Sequence, residues 1–425
     1  MKTLKKQLVI ASALCLMLIA ASCSSSSDEA PNQAPEAFTL IAVTDGAIGV
    51  DVKPTFTWNA AVDPDGDTIT YELLMDANSN PTTSIASNIN STSFTLLERL
   101  PLLENLFWRV VATDQAGNTS ASNTFSFTTR NLNIPAAPVT DAAGFSKRVF
   151  HTSVVFNNKT WVIAGSEASS NYKNDVWSSP DGVLWTQTTL APFSTRGFHT
   201  SVVFNDKIWV IGGRQVESNI SIRKNDVWSS PDGVTWTEVT TSAAFSAREG
   251  HTSVVFNDKI WVIGGIDEDR NKKNDVWSSP DGVTWTEVTT SAPFLARNSH
   301  TSVVFNDKIW VIAGWSSGNN RENDVWSSSD GMTWTSVTTD AAFSKRGAHT
   351  SVVFDNKIWV IGGEFPFSDS ADDVWSSADG LSWSQAIAAA DFFRRTSHTS
   401  VVSDDKIWLI AGFDGTHKND VWFMD

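Results

Sequence analysis

Cysteine and tyrosine are scarce in this 425-residue chain, with two of each. Because Cys15 lies in an apolar leader, the mature chain is expected to keep only Cys23, which excludes an internal disulfide. Lysine and arginine (31) are outnumbered by aspartate and glutamate (47), so the formal net charge is −16. This acidic balance disfavours nucleic acid and anionic lipid as partners. The remaining composition, with 41% hydrophobic residues, is typical of a core-forming globular protein.

Long apolar runs are also absent, except for one near the N-terminus. Three lysines precede "LVIASALCLMLIAA", which is too short for a permanent membrane helix but typical of a cleavable export signal over residues 1–22. "AASC" followed by "SSSSDE" resembles the lipobox of bacterial lipoproteins. The resemblance implies a lipidated Cys23, a flexible tether over 23–35 and anchoring in the bacterial outer membrane, with exposure at the cell surface. The alternative is an ordinary secretory signal with a chance cysteine.

Residues 36–130 contain short alternating segments separated by turn residues, the pattern of a β-sandwich. Trp58 on the second segment and "LFWRVVATDQAGN" near the end resemble a fibronectin type III module.

The stretch "DPDGD" within this region places Asp63, Asp65 and Asp67 at alternate positions. Carboxylates at this spacing suit Ca²⁺, which prefers oxygen ligands. No bidentate glutamate follows at loop spacing, so calcium is a secondary candidate beside a solvated turn. No other cofactor is expected.

From residue 131 onward the sequence consists of six similar repeats. The unit "RxxHTSVVFNDKIWVIGG…NDVWSSPDGVTWTEVT" returns every 48 to 52 residues and contains four short β segments and no helical pattern. A period near fifty of this kind indicates a β-propeller, here six-bladed over residues 131–425. Six histidines mark the starts of the units: His151, His199, His251, His300, His349 and His398.

The double glycine after the second segment, the "NDVW" that opens the third and the tryptophan on the fourth resemble kelch repeats, the family of galactose oxidase-like propellers. We therefore expect an all-β fold, a sandwich followed by a kelch-type propeller. The last unit stops at "NDVWFMD", after three segments. Residues 134–142 align with the fourth segment of the other units, which predicts that they supply the missing strand.

The repeated Arg-x-x-His motif lies at the start of the innermost strand, where six arginines would ring the axial mouth. The alternative is structural, with each arginine paired to an acid repeated in every unit, such as Asp226. A catalytic site needs one asymmetric constellation and not six copies, so no catalytic residue is assigned. The six arginines are Arg148, Arg196, Arg248, Arg297, Arg346 and Arg395.

Function is expected where the units differ, in the loops from the second to the third strand. Variable loops on a rigid ring are a common place for recognition. These loops hold aromatic and charged residues suited to a sugar or a peptide, although the aromatics can also fold back to cover their own loops. The ligand-binding candidates are Tyr172, Arg214, Arg223, Asp267, Trp315, Arg321, Glu364, Phe365, Phe413 and His417.

These observations favour a monomeric, surface-anchored protein whose propeller recognises a glycan or protein ligand without catalysis. The alternative is a carbohydrate-active enzyme at the axial mouth, similar to kelch-type sialic acid mutarotases or to sialidases. Copper radical chemistry of the galactose oxidase kind needs a cysteine-linked tyrosine, and the propeller contains one tyrosine and no cysteine.

Overall fold

The computed structural model describes residues 31–167, 171–188, 190–366, 369–390, 392 and 394–425. The predicted leader and Cys23 lie outside these ranges. Contacts divide the chain into two units. The first unit contains the chain up to Ala47, Pro54–Leu96 and Leu106–Phe127, and the second contains Ile48–Lys53, Leu97–Asn105 and Thr128–Asp425. Two short segments of the predicted sandwich, Ile48–Lys53 and Leu97–Asn105, thus belong to the second unit.

The first part of the chain forms two antiparallel sheets. One has the strand order β1-β3-β6, and the other has the order β2-β9-β7-β4-β5 with β8 beside β7. Phe56 and Trp108, one from each sheet, are buried with ring centroids 4.7 Å apart, so an aromatic core lies between the sheets. The strands are β1 (Leu40–Ala42), β2 (Ala47–Val50), β3 (Thr55–Trp58), β4 (Thr70–Asp76), β5 (Ser84–Ile89), β6 (Ser93–Thr95), β7 (Asn105–Thr113), β8 (Thr119–Ala121) and β9 (Phe125–Thr129).

The second unit consists of six consecutive antiparallel blades. The first three blades are β10 (Thr152–Phe156), β11 (Lys159–Ser166), β12 (Tyr172–Ser179) and β13 (Thr186–Gln187); β14 (Thr200–Phe204), β15 (Lys207–Glu217), β16 (Ile220–Ser230) and β17 (Thr237–Thr240); and, after the short β18 (Arg248–Glu249), β19 (Thr252–Phe256), β20 (Lys259–Asp267), β21 (Lys272–Ser279) and β22 (Thr286–Thr289).

The last three blades are β23 (Thr301–Phe305), β24 (Lys308–Trp315), β25 (Arg321–Ser328) and β26 (Thr335–Thr338); β27 (Thr350–Phe354), β28 (Lys357–Ile361), β29 (Val374–Ser377) and β30 (Ser384–Ile387); and β31 (Thr399–Ser403), β32 (Lys406–Phe413) and β33 (His417–Met424). A 3-10 turn, Ser317–Asn319, lies between β24 and β25. The regular structure is thus almost entirely β.

Side-chain hydrogen bonds between the first strands of the blades close a ring. Each threonine hydroxyl contacts the imidazole Nε2 of the next blade at 3.0–3.1 Å and the serine hydroxyl of the next blade at 2.6–2.7 Å. Thr399 of the sixth blade makes the same contacts with His151 and Ser153 of the first. The six blades therefore surround a central axis as a β-propeller.

The blades pack through the long apolar second strands, which are buried on both faces. Trp209 and Ile211 of the second blade, for example, pack in one cluster with Ile260 and Val262 of the third. The Asp-Gly turn between the third and fourth strands completes this packing. Gly282 has φ +75°, and a Cβ there would overlap the Trp209 ring, so the turn requires glycine for both conformation and space.

Residues before the first blade lie beside the last strand of the sixth. The Val139 N–H donates to the Val421 carbonyl at 2.8 Å, and the Val421 N–H donates to the Thr140 carbonyl at 3.0 Å. The Ala143 N–H donates to the Asn419 carbonyl at 2.9 Å. This antiparallel segment stands where the other blades have a fourth strand.

Trp359 of the fifth blade is covered by residues from outside the blades, whereas the glycine of an Asp-Gly turn packs on each of its counterparts. Leu102 and Val52, both within the second unit, bury Trp359 together with Leu132. The Lys357 ammonium fixes this segment by donating to the Leu102 carbonyl at 2.8 Å. The segment thus has the position beside Trp359 that an Asp-Gly turn has beside the equivalent tryptophans.

Candidate functional site

The six motif arginines do not line the axial mouth, and this corrects the first of the two predicted roles. Each is fully buried and donates two hydrogen bonds of 2.6–2.9 Å to an aspartate at the start of the third strand of the same blade. A guanidinium matches a carboxylate in this bidentate way, which fixes its position. The pairs are Arg148–Asp175, Arg196–Asp226, Arg248–Asp275, Arg297–Asp324, Arg346–Asp373 and Arg395–Asp420.

These ion pairs connect the segment that precedes the first strand of each blade to the third strand of that blade. Arg248 also donates to the carbonyl of Gly264 at 2.9 Å and lies over the Phe245 ring. Burial is the largest single influence on the Asp175 carboxyl and acts to raise its pKa, but the hydrogen bond and charge of Arg148, together with the hydrogen bond from Trp177 and the charge of Lys173, lower that pKa overall. The arginines therefore have a structural role in the positions found.

The motif histidines line a narrow axial cavity of about 130 Å³. Burial, followed by the nearby Arg148 and Arg248 charges, lowers the pKa of His151 and of His251 to about 3. The same causes lower the pKa values of the other four well below the usual range. The histidines are thus neutral near pH 7 and act in the hydrogen-bond ring rather than as charged groups at the mouth.

The mouth itself is formed by two positions that differ from blade to blade. The residue after each motif arginine pairs, antiparallel, with the residue after the glycine that ends the second apolar segment. That glycine makes the approach possible: at Gly213 the φ is +98°, and a Cβ would lie 2.6 Å from the Cβ of His199. The pairs are Val149↔Ser166, Gly197↔Arg214, Glu249↔Ile266, Asn298↔Trp315, Gly347↔Glu364 and Thr396↔Phe413.

The residues immediately before the histidines form the floor of the mouth. All six have φ between +52° and +62°, and five backbone hydrogen bonds of 2.9–3.0 Å join them in sequence around the axis. The Phe150 and Phe198 rings are stacked, with centroids 3.6 Å apart and an interplanar angle of 21°. The other four are small: Gly250, Ser299, Ala348 and Ser397. One side of the floor is therefore aromatic and the other is open.

A cavity of about 260 Å³ lies above this floor. Three of the predicted ligand-binding residues line it: Arg214, Trp315 and Glu364. Two charged side chains, Glu249 and Lys272, together with the polar Asn298 and the apolar Ile266, also line the cavity.

Tyr172 and Arg223 support one wall of the cavity from behind. The Tyr172 hydroxyl accepts a hydrogen bond of 2.9 Å from Arg214 Nε. Glu249 lies 3.2 Å from Arg214 Nε and accepts a hydrogen bond of 2.7 Å from Arg223. The Arg214 guanidinium also covers the Phe198 ring at 4.7 Å. Burial raises the pKa of the Tyr172 hydroxyl, so it is protonated at neutral pH.

Arg321 supports the opposite wall. Its guanidinium lies 4.9 Å from the centre of the Trp315 ring and donates a hydrogen bond to Glu364. The two walls thus have the same composition, an aromatic ring, an arginine and a glutamate, although they come from different blades and different positions of the repeat.

The other predicted ligand-binding residues lie outside the cavity. Asp267 pairs with Lys273 at 2.7 Å, Phe365 lies under the Arg346 guanidinium at 5.2 Å, and Phe413 packs against His417 with centroids 5.4 Å apart. Their contacts are with their own blade or with structural groups, so the structure does not bring them to the site.

Phe150, Phe198, Glu249 and Asn298 were not predicted from the sequence. Their signal was present in the motif itself, since the two positions between arginine and histidine vary among the blades while the arginine and the histidine are constant. Lys272 was missed because it lies in one of several lysine-rich loop ends.

Asp63, Asp65 and Asp67 lie in a hydrogen-bonded turn. Asp63 Oδ1 accepts hydrogen bonds from the N–H groups of Asp65 and Asp67 at 3.0 and 3.1 Å, as in a turn. Across the described part of the chain, no three His, Cys, Asp or Glu side chains are placed to hold a metal ion. Calcium binding by this turn stays a prediction.

Within the described ranges, no helix has the length and apolar character needed to cross a membrane.

Comparison with known proteins agrees with the propeller. The KLHDC2/KLHL20/DRC7 Kelch-repeats domain family matches residues 112–314, 199–376 and 250–425, which together cover well over half of the chain. The structure of YjhT is similar in fold, with a TM-score of 0.57 and 16% sequence identity over 68% of this chain and 95% of that one. At this identity the similarity shows the fold alone. No curated protein matches the sequence.

Proposed function

We propose, from the premise that this chain belongs to the kelch-repeat domain family, that its propeller is a recognition module that binds a glycan or protein ligand at the cavity of the variable mouth. One observation supports this most: on a ring whose core residues repeat six times, the mouth positions vary between blades and enclose a cavity of about 260 Å³. A cavity that combines aromatic walls with a few polar groups is typical of a ligand site.

We propose further that the chain is a surface lipoprotein of the bacterial outer membrane and acts as a monomer. In this proposal Cys23 carries the lipid, residues 23–35 are the tether, and residues 36–130 form a fibronectin type III-like spacer. The acidic net charge of −16 argues against nucleic acid as a partner. Metabolic labelling with a fatty acid should mark the wild type and not Cys23→Ala. Equal labelling of both would contradict the lipid anchor.

Binding can be tested with the full chain on arrays of glycans and peptides. Trp315→Ala should weaken binding of any ligand found by roughly tenfold or more, because removal of a central aromatic contact typically costs about 2 kcal/mol. Asp258→Ala is the matched control, since Asp258 is exposed in a turn between the first and second strands of its blade. Loss of binding in the control, with Trp315→Ala unaffected, would place the site on the other face.

A carbohydrate-active enzyme is the second candidate, similar to a sialic acid mutarotase or a sialidase. The observation that favours it is that two carboxylates, Glu249 and Glu364, line the same cavity. Proton NMR of glycan incubated with the protein would reveal new reducing ends or faster anomeric exchange. Activity that is lost in both Glu249→Gln and Glu364→Gln would establish this function over simple recognition.

A further inference from the structure

We infer that the mouth cavity takes one uncharged pyranose ring, such as the end of a neutral glycan, in preference to an acidic sugar or a carboxylate-bearing peptide. This inference rests on the proposed recognition function and specifies its ligand. Three properties of the described cavity residues carry it: charge balance, unpaired polar atoms and an apolar wall.

The first property is charge balance. Two cationic and two anionic side chains line the cavity, and contacts with charged or carbonyl groups already occupy them. Arg214 lies against Glu249, Glu364 accepts from Arg321, and the Lys272 ammonium donates to the Ser316 carbonyl. An anionic ligand would have to compete with a glutamate for its arginine, and separating a partly buried ion pair is costly. A neutral ligand leaves these pairs intact.

The second property is an unpaired donor, the Trp315 indole N–H, and an unpaired acceptor, Asn298 Oδ1, on two residues that line the cavity. Asn298 is 6% exposed, and neither its Oδ1 nor the Nε1 of Trp315 has a hydrogen-bond partner among the described residues. The two residues are held together by backbone hydrogen bonds of 3.1 and 2.8 Å. Buried polar atoms are nearly always paired, so a ligand that supplies both a donor and an acceptor suits this edge. Hydroxyl groups do both, whereas a carboxylate offers acceptors alone.

The third property is the apolar wall and the size. Phe150 and Phe198 line the floor of the cavity. Because the two rings stack on each other and Arg214 covers Phe198, Phe150 is the ring with a face left for the C–H groups of a sugar ring. The volume of about 260 Å³ has room for a ligand the size of one sugar ring. We therefore place the terminal ring of a glycan in it.

The test uses the full chain and four sets of probes: methyl glycosides of neutral hexoses, methyl glycosides of N-acetylhexosamines, the acidic sugars glucuronic acid and sialic acid, and peptides with a free C-terminal carboxylate. Calorimetry gives the affinities, and saturation-transfer NMR identifies the sugar protons that contact the protein. We expect a neutral glycoside to bind, with transfer strongest to protons on one face of the ring, and the acidic probes to bind at least tenfold more weakly.

Two variants remove the unpaired atoms with residues that other blades already use at the same positions. Asn298→Gly takes the residue found at 197 and 347, and Trp315→Phe takes the residue found at 413. Each should weaken neutral-glycoside binding at least fivefold, because a ligand hydroxyl loses its partner. Controls in an exposed turn away from the mouth, Asn257→Gly and Asp258→Ala, should change affinity less than twofold. Thermal melts establish that all four variants are folded.

The possible outcomes distinguish a failure of the neutral-ring inference from a failure of the proposed recognition function. If acidic sugars or peptides bind more tightly than the neutral glycosides and Trp315→Phe or Asn298→Gly weakens them, the mouth is a recognition site and the neutral-ring inference is wrong. If no probe from any set binds, or if binding is the same in all folded variants, both the inference and the proposed site are wrong.

Discussion

The indole of Trp315 occupies the space that a side chain at Gly347 would need. A Cβ built on Gly347 would overlap the indole Cδ1 and Nε1 atoms, although the two residues belong to neighbouring blades. Gly197 makes the same kind of room for Tyr172 of the blade before it, where a Cβ would lie 2.7 Å from the ring. The glycines that follow two of the motif arginines thus position the aromatic residues of the mouth.

Gly347→Ala should displace the indole while leaving the fold in place. The φ of Gly347 is not in the left-handed region, so alanine is compatible with the backbone and only the neighbouring side chain has to move. The indole N–H resonance of Trp315, assigned by comparison with Trp315→Phe, should shift. Gly197→Ala is the control and should leave that resonance unchanged. An unshifted resonance in Gly347→Ala would contradict the close packing.

Asp275→Asn should destabilise the protein strongly. The carboxylate receives two hydrogen bonds from the fully buried Arg248, and the variant leaves that guanidinium without a charge partner. Breaking a buried pair in this way typically costs about 3–5 kcal/mol. The midpoint of urea unfolding should therefore fall markedly, whereas Asp258→Asn in an exposed turn should leave it unchanged. Equal midpoints for both variants would show that the ion pair contributes little.

Stability should fall as the pH drops below the usual pKa of histidine. In the folded protein the pKa of His251 is about 3, because of burial and then the nearby Arg248, with Asp275 acting in the opposite direction. The unfolded chain therefore binds more protons than the folded one between pH 6.5 and about 3, so each such histidine costs about 1.4 kcal/mol per pH unit as the pH falls through that range. Above pH 6.5 the histidines are neutral in both the folded and the unfolded chain, so they no longer make the free energy of unfolding depend on pH.

Melting temperatures measured from pH 8 to pH 4 would test this. His251→Asn removes one of the six histidines and should make the pH dependence shallower, even though the variant is less stable at pH 8. A melting temperature that is constant between pH 7 and pH 5 would contradict the prediction. Below pH 4, protonation of aspartates such as Asp175, whose pKa is lowered in the fold, should add a second loss of stability.

Leu102→Ala should destabilise the propeller unit from outside its blades. Leu102 is fully buried against the cluster that contains Trp359, and removing such a side chain typically costs about 2–5 kcal/mol. Leu103→Ala is a matched control, because the adjacent side chain is 37% exposed. Similar effects of the two substitutions on the urea midpoint would show that the packing of Leu102 on Trp359 contributes little to stability.

Much of this architecture could be predicted because it repeats. Period, turn residues and the apolar second strand each recur six times, so local patterns were enough to predict the blades and their order. The same repetition indicated that the arginines and histidines have structural roles, but burial decides between that interpretation and a ring at the mouth. Spacing alone does not report which way Arg248 points.

The mouth was harder to predict because it depends on contacts between blades. The ligand site was predicted in the loops because these are the longest variable segments. Phe413 and Asp267 in the loops, however, contact residues of their own blades. Glu249 and Asn298, which lie inside the repeated motif, line the cavity instead. The cover over Trp359 was also missed, because nothing in the alternating pattern of residues 97–105 relates them to a tryptophan some 250 residues later.

The pairing of residues 133–143 with β33 also sets the order of events during biosynthesis. The two paired segments are separated in sequence by almost the whole propeller, so the ring cannot close until β33 has been synthesised. Until then the first and sixth blades present unpaired strand edges, which are prone to join other chains. A chain whose final strand is withheld, by truncation or by stalled synthesis, is thus expected to aggregate even when its first five blades are complete.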